Sequence, residues 1–259
     1  MKRLLTVLMC LSMASAMSQT AIGHWRDWLD YSRVNHIAVT PDGIYAAGRG
    51  GLFRYDPDDM TITTISRATG LNDVGIAAIA YGEGSLVVGY TNSNIDILQG
   101  SQIYNLSDIK RSAIAGDRNI YSIRFNSGKA YLCTGFGVVV VDLSRHEIKE
   151  TYYIGAAGSY TAVYDMAFSP DSIYAATAEG LKRIGIHDPY PIVGDRWQTD
   201  HRLDGNTVTM LCRAGSHLLA GAYSSNPNIY GLYRLHGDNA TKIIIISNKI
   251  KIIIQTAKK

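Results

Sequence analysis

The sequence predicts an all-β fold, a β-propeller of four-stranded blades with about five repeats present, and three observations carry that prediction. A motif recurs from Ile37, Ile79, Ile123, Met166 and Met210, reading IAVTPDGIYAAG, IAYGEGSLVVG, IRFNSGKAYLCT, MAFSPDSIYAAT and MLCRAGSHLLAG. The copies are spaced by about 42 to 44 residues, the length of one small sheet per repeat. Each copy also parses into the same order of strands and turns, which a chance echo of apolar residues would not do.

In the first copy His36 to Thr40 alternates as a strand, Pro41-Asp42-Gly43 turns, and Ile44 to Ala47 returns. Gly48-Arg49-Gly50-Gly51 makes a second turn into Leu52 to Tyr55. Asp56-Pro57-Asp58-Asp59 turns again, and Thr61 to Ile65 alternates Thr and Ile with period two as a half-exposed fourth strand. The third copy repeats the plan, with Asn126-Ser127-Gly128 and Gly135-Phe136-Gly137 as its turns around the apolar run Val138 to Val141 and the strand Ile148 to Tyr153. Glycine at the second turn supplies the positive φ that a tight hairpin needs, and Gly180-Leu181 and Gly231-Leu232 recur at the equivalent place.

Residues 1–18 belong to another category. Lys2 and Arg3 precede the apolar stretch Leu4 to Met13, and Ala14-Ser15-Ala16 or Ala16-Met17-Ser18 suits a signal peptidase, so a secretory signal peptide is expected. The apolar run is well short of the roughly 20 residues that span a bilayer. Cys10 leaves with that segment, while Cys133 and Cys212 sit at different positions of their repeats and read as buried small hydrophobes.

Residues 19–238 form the predicted propeller, and residues 239–259 a low-complexity Ile/Lys tail. From Ala240 onward, ATKIIIISNKIKIIIQTAKK breaks the repeat where the fifth outer strand is due. Two readings apply: a true strand, since Ile-rich runs favour sheets, or non-native sequence of the kind A/T-rich codons produce beyond a broken gene end. The second is preferred, which makes the chain a fragment. Taking Lys2, Arg3 and the five tail lysines from the 25 basic residues leaves 18 against 22 acidic ones, so the propeller itself is mildly acidic. A nucleic-acid partner is thereby disfavoured.

Propellers commonly close by letting an N-terminal segment supply the outer strand of the last blade. His24 to Trp28 precedes the first repeat as Arg196 to Thr199 precedes the fifth, so Ile22 to Asp30 reads as such a strand, and Trp25, Trp28 and Trp197 as blade-packing residues.

No local motif announces catalysis. The seven histidines show neither HExxH spacing nor a paired CxxC to accompany them, and no GxSxG elbow or Walker loop occurs. Gly48 to Gly51 is more economically a hairpin turn than a phosphate cradle, and Asp56, Asp58 and Asp59 lack the glycine and distal glutamate of a calcium loop. Catalytic, cofactor and metal residues are therefore expected to be none. Tyrosine is the enriched type suited to recognition: Tyr152, Tyr153, Tyr160 and Tyr164 cluster at the third-to-fourth repeat junction, beside Gly155, Gly158 and Ser159. Asp108, Lys110 and Arg111 form a second candidate surface, on a charged loop.

The stretch from Ile22 to Gly221 resembles the N-terminal propeller of the PorZ family of the type IX secretion system of Bacteroidetes. The resemblance rests on GHWRDWLDY (23–31), GGLFRYDPDDMTITTISRATGLNDVGIAAIAYG (50–82), VVGYTNSNIDILQGSQIYNLSDIKRS (87–112) and GFGVVVVDLSRHEIKETYYIGAAG (135–158). It implies a non-catalytic cell-surface scaffold, partnered with a sortase-containing attachment complex and implicated in delivering anionic lipopolysaccharide to it, so that cargo is anchored to the outer membrane. It also implies two seven-bladed propellers and a C-terminal signal domain, so about five repeats would be an incomplete part of the first ring. GGLFRYDP and GLNDVGIAAI carry a second, more generic likeness to the ligand-sensing periplasmic propellers of hybrid two-component regulators.

Overall fold

The computed structural model describes residues 32–225 and 228–246. The expected signal peptide, the segment Ile22 to Asp30 with Trp25 and Trp28, and the tail from residue 247 lie outside the described residues. Within them the chain forms five four-stranded antiparallel sheets, each a simple meander in chain order. Blade one holds β1 (His36–Thr40), β2 (Gly43–Ala47), β3 (Gly51–Tyr55) and β4 (Ile62–Ser66). Blade two holds β5 (Ile76–Gly82), β6 (Ser85–Tyr90), β7 (Ile95–Gln99) and β8 (Gln102–Leu106). Blade three holds β9 (Ile120–Asn126), β10 (Lys129–Thr134), β11 (Gly137–Asp142) and β12 (Glu147–Tyr152). Blade four holds β13 (Val163–Phe168), β14 (Ser172–Thr177), β15 (Gly180–Gly185) and the two-residue β16 (Gln198–Thr199). Blade five holds β17 (Thr207–Ala214), β18 (His217–Ser225), β19 (Asn228–His236) and β20 (Asn239–Ile246).

The turns explain why the strands stop where they do. Thr134 and Thr177 each donate their hydroxyl to the carbonyl of the glycine three residues on, Gly137 at 2.9 Å and Gly180 at 2.8 Å. Those glycines take φ of 147° and 115°, which a side chain would strain. Gly48, Gly50 and Gly51 depart from the expectation, since the turn in blade one closes through Gly48 N–H to Gly51 O at 3.0 Å with none of the three at positive φ. The Ile-rich segment Asn239–Ile246 pairs along β19 from His236↔Asn239 to Tyr230↔Ile246, and so provides the outer strand of the fifth blade.

Residues opposite one another across a sheet share a face. In blade two the row Tyr81, Leu86 and Leu98 turns toward blade one, while Ala80, Val87 and Ile97 turn toward blade three. The same division holds in blade three, where Phe125, Ala130, Val141 and Ile148 meet blade two and Tyr131 and Val140 meet blade four. Among the described residues the apolar core is therefore a set of four clusters, each filling the space between consecutive blades. Burial of such rows is the main stabilising term, at about 25 cal/mol per Å² of apolar surface. Cys133, in the cluster between blades three and four, and Cys212 are unpaired and buried, as expected of small hydrophobes.

Candidate interaction surface

Two segments outside the regular strands are packed into one surface. The first is the connection from blade three to blade four, Tyr153 to Ala162, which contains a 3-10 turn at Ala156–Gly158. The second replaces the hairpin between β15 and β16: where β11 and β12 are joined through Leu143 to His146, β15 and β16 are joined by the long excursion Ile186 to Trp197. Pro189 and Pro191 explain the excursion, because neither can donate to a sheet ladder.

The excursion holds its shape through its own contacts. Asp188 accepts the backbone N–H of Tyr190 at 2.9 Å and a guanidinium bond from Arg196 at 2.7 Å. Arg196 keeps the Asp188 carboxyl below the ordinary carboxylate range. The indole N–H of Trp197, itself 5% exposed, donates to Pro191 O at 2.8 Å. Gly194 is where the two segments meet: a Cβ there would stand 2.6 Å from Tyr153 O and 2.9 Å from Gly155 O. Only glycine allows that approach. From the strand side, Lys182 donates to Ile154 O at 2.8 Å and to Glu179 at 2.7 Å, with its side chain 9% exposed. Its ammonium holds the Glu179 carboxyl low against the opposing effect of burial.

The joined segments expose Tyr160 at 51%, Tyr190 at 60%, Ile192 at 49% and Val193 at 43%. Tyr153 lies against Tyr160 with ring centroids 5.2 Å apart, and the buried Phe136 lies 6.3 Å from Tyr160 as a floor. Burial, reinforced by the Tyr160 hydroxyl, raises the Tyr153 phenol above its ordinary value. Beside the excursion is a cleft of about 350 Å³ lined by Arg183, Asp188, Asp195, Arg196, Gln198 and Ser172, among others. Apolar and aromatic side chains thus lie beside a charged cleft on this surface.

The sequence-predicted residues divide. Tyr153 and Tyr160 are brought together here. Tyr164 faces the inner strand of blade three instead, edge-on to Tyr121 at 5.0 Å. Tyr152 corrects the expectation of an exposed ring: it is 3% exposed, packed against Tyr131 and Trp197, because strand alternation turns it inward one residue before Tyr153. Asp108, Lys110 and Arg111 lie on the preceding inter-blade connection and form one helical turn, α1 (Asp108–Arg111), in place of the expected loop. Arg111 reaches Asp108 at 3.5 Å, and Lys110 reaches Asp73 at 2.5 Å. Asp73 also receives Asn92 at 2.8 Å and Asn94 at 3.2 Å, so Lys110 belongs to a structural polar cluster. Asp56 and Asp59 are spent on their own turn: Asp56 accepts from Arg54 at 2.5 Å and from the backbone N–H of Asp58 at 3.0 Å, and Asp59 from the backbone N–H of Thr61 at 3.0 Å.

Sequence reasoning missed Tyr190, Ile192 and Val193. The available signal was the interval between Gly185 and Gln198, which is longer than the corresponding interval in any other repeat and carries Asp-Pro-Tyr-Pro.

The profile described as the N-terminal β-propeller domain of PorZ of the type IX secretion system matches residues 44–188. No curated protein matches the sequence. Among solved structures, PorZ, described as an essential bacterial surface component of the type IX secretion system of Porphyromonas gingivalis, superposes with a TM-score of 0.71 at 22% identity, over 85% of this chain and 29% of that one. The extracellular domain of the hybrid two-component system BT4673 from B. thetaiotaomicron gives a TM-score of 0.63 at 18% identity, over 88% of this chain and 30% of that one. The WD40 propeller of Doa1 gives 0.53 at 18% identity, covering 86% and 70%. The chain thus spans less than a third of the first two structures.

Proposed function

Because the chain belongs to the PorZ N-terminal β-propeller family of the type IX secretion system, we propose that it acts as a non-catalytic, extracytoplasmic scaffold of that system, binding protein partners through the surface built on Tyr153, Tyr160 and the excursion. One observation carries the reading: the family match runs from residue 44 to residue 188, through the connection that presents Tyr160 and into the start of the excursion. The partner we assign is the sortase-containing attachment complex at the cell surface, with anionic lipopolysaccharide as the material delivered to it; the support is the family resemblance in residues 50–82, 87–112 and 135–158.

The test is co-purification. Affinity-tagged chain expressed in a type IX secretor is expected to retain components of the attachment complex, and the pair Tyr160→Ala and Ile192→Asp is expected to lose them while keeping its strand-type circular dichroism. Retention undiminished by those substitutions would move the binding surface elsewhere, and absence of any secretion component would remove the reading. The alternative, a ligand-sensing propeller of a hybrid regulator, is supported by the BT4673 likeness. It predicts saturable small-molecule stabilisation in a thermal-shift screen and no retention of secretion components.

A further inference from the structure

Among the described residues, four of the five blades carry one residue too many in their first strand. Along β5, β9, β13 and β17 the pairing to the next strand skips Ala77, Tyr121, Tyr164 and Thr209. Each is a β-bulge, which re-aims a side chain at the cost of one ladder position. The residue before each bulge, Ile76, Ile120, Val163 or Val208, is packed in the apolar cluster shared with the preceding blade. The residue after it turns to the following blade: Ala78 joins the cluster with blade three, and Ser122 donates to Asp165 of blade four at 3.1 Å. The skipped residue is committed to neither face. It stands on the terminal strand of its sheet, and because successive first strands touch, the four positions lie along one inner surface.

Two neighbouring positions of that row are aromatic. Tyr121 and Tyr164 belong to none of the apolar clusters, both are half-exposed, and their rings meet at 60° with centroids 5.0 Å apart, as two walls of a corner. At the rim of one wall the Tyr121 hydroxyl donates to Asp117. Asp117 is exposed, and among the described residues its carboxylate accepts otherwise the backbone N–H of Asn119 at 2.8 Å and meets no cation. Arg118 and Arg124, on either side of Tyr121 in sequence, are engaged elsewhere: Arg118 donates to the carbonyls of Lys110 and Ser112 at 3.4 and 3.2 Å, and Arg124 pairs with Asp165. Gly135 fixes the carboxylate from behind, since its N–H donates to Asn119 O at 3.2 Å and a Cβ there would stand 2.8 Å from Asp117 Cβ and Cγ. The corner therefore combines two electron-rich ring faces with one negative charge that no side chain of the site neutralises. Such a combination attracts a cation and repels an anion.

We propose that Tyr121, Tyr164 and Asp117 form a binding site for an organic ammonium group, carried by a free amine or by a lysine of a partner protein. The proposal is independent of the function proposed above. Titration of the whole chain with choline or butylammonium, followed through the tyrosine ring signals in NMR, is expected to saturate. The uncharged isostere of choline, with carbon in place of the quaternary nitrogen, is expected to leave those signals unmoved. Asp117→Asn and Tyr164→Ala are each expected to weaken binding about tenfold with unchanged circular dichroism, whereas Tyr164→Phe, which keeps the ring, should bind as the parent does. If Tyr164→Ala alters the circular dichroism, the exposed Asp117→Asn decides alone. A lysine-containing pentapeptide run in parallel identifies the source: binding tighter than that of the free amines assigns a protein lysine, and equal or weaker binding a free amine, and both support the site. Failure of every ammonium probe to saturate would overturn the proposal, as would equal binding of the uncharged isostere or an affinity untouched by Asp117→Asn.

Discussion

Arg124 and Asp165 form a two-pronged ion pair between the inner strands of blades three and four, with Nε to Oδ1 and Nη2 to Oδ2 both at 2.7 Å. The Asp165 side chain is 4% exposed and also accepts the backbone N–H of Met166 and of Leu211, each at 2.9 Å. Arg124 in turn donates to Leu211 O at 3.3 Å. One carboxylate thus ties β9, β13 and β17. Arg124 is 38% exposed and regains water readily, so removing Asp165 costs mainly through the two stranded amides and the lost pair. Asp165→Ala is expected to lower stability by about 3 kcal/mol, read as a shifted urea midpoint.

Asp73 predicts an acid-sensitive term. Burial alone would raise its carboxyl, but Lys110, Asn92 and the backbone N–H of Val74 outweigh that and hold it at about 2. A carboxyl depressed in the folded state stabilises fully above its unfolded value, near 3.9, and loses that contribution as the pH falls toward 2. Lys110→Met is expected to cost about 1 kcal/mol at pH 7, discounted because Lys110 is 42% exposed. The difference between variant and parent should shrink in urea titrations as the pH falls through about 2 and vanish only below it.

Gly194→Val puts a branched side chain against Tyr153 O and Gly155 O, which are backbone atoms and cannot rotate away. The excursion must lift, at a cost of about 1–3 kcal/mol. The expected outcome is a lowered melting temperature together with lost partner retention, whereas Gly185→Ala, which meets nothing nearby, should change neither.

Trp197→Phe removes the indole N–H that holds Pro191 O and leaves a small cavity in the blade three to four cluster. About 1–3 kcal/mol of stability should be lost. Limited proteolysis should report faster cleavage within Ile186 to Trp197, with the rest of the chain protected as before.

Much of the fold was legible because each strand is bounded by a local signal. Pro41-Asp42-Gly43 turns the chain whatever surrounds it, and β1 and β2 fall on either side of it as read. What was not legible depends on contacts distant in sequence. Gly194 reads as an ordinary loop glycine, and its reason lies at Tyr153 and Gly155. Asp165 reads as one polar residue inside a strand, and its partners stand at Arg124 and Leu211. Tyr152 and Tyr153 look alike in composition, and only the phase of the strand separates a core ring from a surface one. Tyrosine enrichment pointed to the connection between blades three and four, while the excursion packed against it is fixed by the distant contact of Gly194 with Tyr153 and Gly155.

The shortness of β16 governs how anything is recognised at that edge. Lys182↔Thr199 and Arg183↔Gln198 are its only paired positions, whereas β12 pairs with β11 from Val138 to Asp142. An outer strand of two residues offers too little main chain for another protein to add a strand. Selectivity on that flank must then be written in side chains, so point substitutions can retune it without touching the sheet.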